Sequence, residues 1–310
     1  MTTAYISHAA CVLHETGKHH PESPQRLYAI EDALIASGLM DLLDRHDAPR
    51  ASRQQLCRVH TPAYLDEIER RAPMEGLVML DADTAMGAHS VEAACRAAGA
   101  VVQGVDLVLR GEVDTAFCGT RPPGHHAEQN RAMGFCIFNN VAVGAAHALA
   151  AGLARVAIVD FDVHHGNGTE SVFQNDDRVM LCSTFQHPLY PNTPPLHGHS
   201  HIIHAPLDAG AHSEAFQQAV EDHWLPALQR FKPQLILVSA GFDAHFEDDM
   251  AQINLLDSDY YWVTRAIMEV AERHARGRMV STLEGGYETQ ALGRAVVQHI
   301  RALMRLGASH

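Results

Sequence analysis

The feature that most constrains this chain is the stretch Arg155 to Glu170, RVAIVDFDVHHGNGTE. Its first part, Val156 to Phe161, is a short apolar run rich in β-branched residues, the pattern of a strand buried on both faces of a parallel sheet. The pattern then breaks. Asp160, Asp162, His164 and His165 arrive together, and Gly166, Asn167 and Gly168 signal a tight loop into the next element. Ligands of open α/β sheets bind at the carboxyl ends of strands, so polar residues gathered there mark a site. Residues two apart on an extended segment share a side, which lets Asp160, Asp162 and His164 converge. Carboxylates held together need a cation, and the D-x-D-x-H string therefore predicts metal. Ordinary polar loop residues would explain any one of these side chains better than they explain the string.

The rest of the chain repeats the strand-then-polar-end pattern. Strands are expected at Ala4 to Ser7, Asp114 to Cys118, Arg178 to Thr184, Leu235 to Ser239 and Met279 to Leu283. Helical spacing covers Arg26 to Ile35, Ser90 to Leu109, Val141 to Ala151, Glu214 to Arg230, Tyr260 to His274 and the segment after Tyr287. Thr61-Pro62 reads as a cap followed by proline at the first helical position. Gly76 to Gly87 is expected to form a surface loop, and Gln186 to Pro206, dense in proline and histidine, to form no regular element. The βαβα rhythm runs from end to end without repeats or a linker, which predicts one doubly wound α/β domain over residues 1–310. Four strands, ending near Cys118, Phe161, Ser239 and Leu283, are followed at once by reactive side chains: His125 and His126, Asp162 and His164, Asp243, and Tyr287. Parallel strands bring all those ends to one edge of the sheet.

Composition narrows the partners. A formal net charge of -14 over 310 residues argues against general binding to nucleic acid or to an anionic membrane. No apolar run reaches the length of a membrane span, and the first residues do not read as a secretory leader. The six cysteines are scattered, with no C-x-x-C, as free thiols in a reducing compartment would be. A soluble cytoplasmic protein is the expectation. Histidine, at 23 residues, is the outlier.

The ordered motifs RPPGHHAE, GFCIFNN, DFDVHHGNGTE, SAGFDAH and EGGY resemble those of the histone deacetylase superfamily, which also includes acetylpolyamine amidohydrolases and acetoin-utilisation proteins. The resemblance runs from HPESPQR, His20 to Arg26, through Tyr287. It implies the arginase/deacetylase fold, a three-layer domain with a central, mostly parallel eight-stranded sheet and helices on both faces. It also implies a zinc-dependent amidohydrolase acting on acylated lysine or a similar small acylated amine. By position, Asp162, His164 and Asp243 would hold the zinc, with Fe(II) as a possible substitute. Three protein ligands would leave a coordination position open, as a catalytic ion requires.

In the same resemblance, His126 would be the general base and acid, His125 its electrostatic partner, Asp160 the group that orients His125, and Asn167 the polar partner of His126. Tyr287 would hydrogen-bond the scissile carbonyl oxygen. Gly134 and Phe135 would form one wall of a substrate channel, Leu189 and Tyr190 the other, with Gly285 beside it and Met250 where polyamine-selective relatives can carry an acidic residue. Structural potassium would sit at Asp160, Asp162, His164, Ser183 and Thr184, with an outer ion near Phe173, Asp176 and Val179. Two readings compete with a mononuclear deacetylase. One is a binuclear manganese ureohydrolase, for which the AGFDAH segment has one aspartate where D-x-D would be expected. The other is a non-catalytic acyl-lysine binding module. Oligomeric state is open, and the 186–206 loop could serve an interface between copies of the chain.

Overall fold

The computed structural model describes residues 2–194, 196 and 198–308. Its strands are β1 (Thr3–Ser7), β2 (Asp44–Asp47), β3 (Val78–Met79), β4 (Ala85–Met86), β5 (Thr115–Cys118), β6 (Val156–Asp160), β7 (Val179–Gln186), β8 (Ile202–Leu207), β9 (Leu235–Ala240) and β10 (Met279–Leu283). Eight of them form one sheet in the order β2-β1-β5-β10-β9-β6-β7-β8. Every pairing in that sheet is parallel.

The helices are α1 (Gln25–Ala36), α2 (Arg53–Leu56), α3 (Pro62–Arg71), α4 (Ser90–Arg110), α5 (Asn140–Ala150), α6 (Asn167–Phe173), α7 (Ser213–Ala219), α8 (Leu225–Phe231), α9 (Asp257–His274) and α10 (Thr289–Leu303). Alternate residues of each central strand point to opposite faces, so one strand serves two cores. On β6, Val156 and Ile158 join Val101, Val105, Val141 and Ala145 of α4 and α5. Ala157 and Val159 join Ile267 of α9, Val296 of α10 and the buried Trp224. The result is a three-layer α/β domain. The expected cap at Thr61 is present, its hydroxyl accepting from Tyr64 N at 3.2 Å.

The sheet order explains where a site must form. Strands β5, β10, β9 and β6 are consecutive neighbours at the centre of the sheet, and they are the four whose ends carry the reactive side chains. Side chains separated by more than a hundred residues in sequence therefore meet at one edge.

Both strands of the eight-stranded sheet that the apolar pattern does not reveal lie at its margins. β2 has the sequence DRHD and contains no apolar residue, while β8, IIHAPL, has all but its last residue, Leu207, in the segment expected to be irregular. Only one side of an edge strand is paired, so it tolerates charge and proline, and Pro206 sits opposite Phe185 of β7 without a ladder donor. Positions 195 and 197 of that segment lie outside the described residues. Between Gly76 and Gly87 the chain forms the short antiparallel pair β3-β4 rather than a plain loop.

A buried ion network ties the amino-terminal segment to the site. Glu22 is fully buried and accepts from Arg121 Nε and, at 2.6 Å, from Arg121 Nη2, with Arg26 Nη1 at 3.4 Å. Arg26 in turn donates to the carbonyls of Glu284 and, at 2.6 Å, Gly286. Burial alone would raise the Glu22 pKa, but Arg121, with help from His14 and Arg26, brings it down to about 2. Glu22→Gln strands two buried guanidinium groups and is expected to cost about 3–5 kcal/mol in denaturant unfolding. The stability that depends on this carboxylate is complete above its ordinary pKa of 4.5 and drains away as pH falls toward 2. A wild-type advantage over Glu22→Gln that persisted unchanged at pH 2 would contradict this assignment.

Candidate active site

The end of β6 turns its carboxylates onto the backbone that follows. Asp160 Oδ1 accepts from Asp162 N at 3.1 Å, and Asp162 Oδ1 accepts from His164 N at 2.9 Å. Asp243, just past β9, accepts from Val163 N at 3.0 Å through Oδ1. Gly285, just past β10, donates its N–H to Asp162 Oδ2 at 2.8 Å. A Cβ at Gly285 would collide with both Asp243 and Asp162, so glycine is required for this approach. Gly285 therefore backs the carboxylates and does not line the cavity, a correction to its expected place in the channel.

Asp162, His164 and Asp243 each bring one ligand atom to within 4.8 Å of the others, and all three are buried. Asp243 Oδ2 makes no hydrogen bond of acceptable geometry, although His164 Nδ1 stands 3.1 Å away. A buried carboxylate oxygen without a donor, beside a second carboxylate and an imidazole, is a donor set that fits a divalent cation.

The two histidines of the loop after β5 have opposite electrostatic fates. His125 Nδ1 lies 2.9 Å from Asp160 Oδ2. Burial disfavours its charge, but Asp160 and Asp162 outweigh burial and raise the His125 pKa well above the usual histidine range. His126 Nδ1 lies 2.9 Å from Asn167 Oδ1, and Asn167 Nδ2 donates to Glu128 Oε1 at 3.0 Å. A carboxylate only accepts, so the amide nitrogen must face Glu128 and the amide oxygen must face His126. His126 therefore carries its hydrogen on Nδ1 and keeps Nε2 as the basic atom. Burial first, then the charges of His125 and His164, holds the His126 pKa well below its usual value. One ring is held charged and its neighbour, with centroids 4.1 Å apart, neutral.

Glu284 fixes the loop that carries both rings. Its buried Oε2 accepts from Gly124 N at 2.6 Å and His125 N at 3.1 Å, while Oε1 accepts from Ser239 Oγ at 3.1 Å.

Beside these groups opens a cavity of about 210 Å³ lined by Asp83, His126, Gly134, Phe135, His164, Leu189, Tyr190, Met250 and Tyr287. His126 and His164 are buried, whereas Phe135, Leu189, Tyr190 and Met250 are half-buried, so the apolar walls lead from the surface down to the polar base. Gly134 and Phe135 both adopt left-handed backbone conformations, φ 56° and 67°. Two bonds to the turn between β3 and β4 hold them there: Asp83 Oδ1 accepts from Gly134 N at 3.0 Å, and Thr84 Oγ1 from Phe135 N at 3.1 Å. The Tyr287 ring stands 5.9 Å from Phe135, edge to face, with the Arg26 guanidinium carbon 4.9 Å from its centroid. Burial, then the Asp243 charge, raises the Tyr287 pKa well above the usual phenol range and keeps its hydroxyl a donor.

The model of the histone deacetylase domain matches residues 20–303. The chain belongs to the histone deacetylase family. It is 36% identical to the histone deacetylase-like amidohydrolase of Pseudomonas aeruginosa over 96% of this chain and 86% of that one. Identity to the probable deacetylase of Archaeoglobus fulgidus is 35%, over 94% and 82% of the two chains. The crystal structure of the HDA15 HD domain superposes with a TM-score of 0.93 at 31% identity, covering 99% of this chain and 91% of that one. The arginase/deacetylase fold expected from the motifs is thereby shown.

Several residues that shape the site of this histone deacetylase domain carry no local sequence signal. Asp83 and Thr84 lie in a segment whose pattern is that of a surface loop, and Glu22, Arg26 and Glu284 act through groups distant in sequence. Asp248 is another: its Oδ2 accepts from Tyr287 N at 2.6 Å and Glu288 N at 3.0 Å, and its Oδ1 from Met250 N at 3.1 Å. Asp248→Ala is expected to lower kcat about tenfold by loosening Tyr287, the effect of losing hydrogen bonds worth about 1.4 kcal/mol, with a smaller change in KM. Steady-state kinetics with an unchanged kcat would contradict this positioning.

The residues expected to bind potassium fall in two places. Asp160 pairs with Ser183 across β6 and β7, and Ser183 Oγ is buried without a partner. Phe173 ends α6, Val179 opens β7 and Asp176 lies in the turn between them, where the Phe173 carbonyl already accepts from Asp176 N at 3.0 Å.

Proposed function

We propose that this chain is a zinc-dependent deacetylase that removes acetyl or related acyl groups from lysine side chains or similar amines. The observation that carries the reading is the meeting of His126, Tyr287 and the Asp162-His164-Asp243 donor set at the base of one apolar-walled cavity. A divalent ion held by those three residues would polarise an amide carbonyl and acidify a water molecule. Fe(II) fits the same donors.

The chain's own groups supply the rest. His126 Nε2 takes a proton from the attacking water as the C–O bond forms, then returns it to the departing nitrogen as the C–N bond breaks. The products are a carboxylate and a free amine. His125 stays cationic against Asp160 and keeps His126 from holding a proton between turnovers. The Tyr287 hydroxyl donates to the carbonyl oxygen as negative charge develops there. Phe135 and Tyr190 suit the methylene stem of a lysine. A buried, unpartnered Ser183 Oγ supports a structural potassium ion with Asp160, Asp162, His164 and Thr184.

The size of the cavity favours short acyl groups, and Met250 offers no charge to the second ammonium group of a polyamine. We therefore expect kcat/KM to be highest for acetyllysine peptides, lower for longer acyl-lysines and lower again for acetylated polyamines. A reversed order would move the substrate class to small acylated amines, and hydrolysis of none of them would sink the proposal. Among the described residues no helix is long and apolar enough to cross a membrane. Six free thiols suit a reducing cytoplasmic setting.

A further inference from the structure

The histidine excess is not used up by the active site. After β7 the chain carries His199, His201 and His204, and the DVHH motif supplies a second histidine, His165, next to the expected ligand His164. Folding brings part of this set together. His165 follows β6, Glu170 lies on α6 and His204 lies on the edge strand β8, yet their ligand atoms all fall within 4.8 Å of one another.

Both imidazoles aim the same nitrogen at one oxygen. His165 Nε2 is 3.2 Å from Glu170 Oε2, and His204 Nε2 also reaches it. Leu196 N adds a third contact to that oxygen at 3.3 Å. As a plain hydrogen-bond network, this crowds three donors onto one carboxylate oxygen. Phe185 sets the ring orientations, with its centroid 4.7 Å from His165 and 5.5 Å from His204.

We infer that His165, Glu170 and His204 form a second divalent-metal site, separate from the one at Asp162, His164 and Asp243. Two neutral imidazoles and one carboxylate are a ligand set that zinc and similar transition ions accept, with a remaining position open to water. Binding shifts the hydrogen of each neutral imidazole from Nε2 to Nδ1, so that one cation faces two Nε2 lone pairs and the carboxylate. The ion would join α6 to the sheet edge at the base of the segment that carries Leu189 and Tyr190.

The Nδ1 atoms of His165 and His204 are buried and lack protein partners. Metal-bound imidazoles ordinarily donate that hydrogen to an oxygen, and losing the outer partner weakens binding about 10–100-fold. The site should therefore bind more weakly than one with fully supported ligands.

The test is metal stoichiometry. Chelator-stripped protein is titrated with Zn²⁺ against a chromophoric chelator, and bound metal is confirmed by elemental analysis. Wild type should take up two equivalents, one tighter than the other. His204→Asn and Glu170→Gln should each lose the weaker equivalent while kcat on acetyllysine peptide stays unchanged, and Asp243→Asn should lose the tighter one. A single equivalent in wild type overturns the inference, as does a second equivalent retained by both variants, which marks adventitious uptake by surface histidines. Glu170→Gln carries the test if His204→Asn fails to fold. A single equivalent with normal turnover would leave the deacetylase proposal standing, whereas two equivalents without turnover would leave the second site standing alone.

Discussion

Replacing His126 with alanine is expected to lower kcat on an acetyllysine peptide by about 10²–10⁴-fold, the usual contribution of a positioned general acid-base. The geometry explains why this residue and not its neighbour should carry the proton. His125 is held cationic between Asp160 and Asp162, so it has no free lone pair to offer. His126 is kept neutral, with its hydrogen directed to Asn167 and Nε2 left basic. His126→Ala should keep the tighter zinc equivalent, because Asp162, His164 and Asp243 are untouched, and KM should change much less than kcat. Zinc-replete His126→Ala protein with near wild-type kcat would contradict the assignment.

The second large effect concerns Asp243→Asn. Activity should fall by at least about 10³-fold, since stabilising transition-state charge with a metal is worth several kcal/mol and each 1.36 kcal/mol is tenfold in rate. Stability should move the other way in metal-stripped protein. Burial and the neighbouring Asp162 charge raise the Asp243 pKa and outweigh the His164 imidazole, which lowers it, so the ionised form of Asp243 is held at a net cost when no cation is present. Neutral asparagine keeps an acceptor for Val163 N and removes that repulsion. Thermal unfolding of stripped Asp243→Asn should occur about 2–4 °C above stripped wild type, the shift that 1 kcal/mol produces in a large domain. A variant that melts lower than stripped wild type while remaining active would contradict both halves of the argument. The opposed signs separate a ligand kept for function from a residue kept for packing.

What could be read beforehand follows from where each signal is written. The central strands β5, β6, β7, β9 and β10 are buried on both faces, so burial demands continuous apolar runs and their polar ends stand out. Asp162, His164, Asp243, His125, His126 and Tyr287 are all found at or just beyond such ends, and the structure brings them together. The edge strands escape because one side faces no partner: DRHD carries no apolar signal, and IIHAPL carries a proline. Supporting groups escape for a different reason. Glu22 meets Arg121 across 99 positions and Gly124 meets Glu284 across 160, and no local pattern records contacts made by tertiary packing. Asp83 was hidden in an acidic segment indistinguishable from a solvated loop, yet it holds the backbone of Gly134 at the cavity wall. The motif points Gly285 to the channel, whereas its close approach to Asp162 assigns it to backing the carboxylates.

The account rests on the Asp162-His164-Asp243 donor set making the His126-Tyr287 cavity catalytic. Its most direct test is hydrolysis of an acetyllysine peptide during zinc back-titration of chelator-stripped protein. Stripped protein should be inactive, and turnover should return in proportion to added zinc and level off once the tighter equivalent is filled. Turnover in fully stripped protein as fast as in the untreated enzyme would contradict the account.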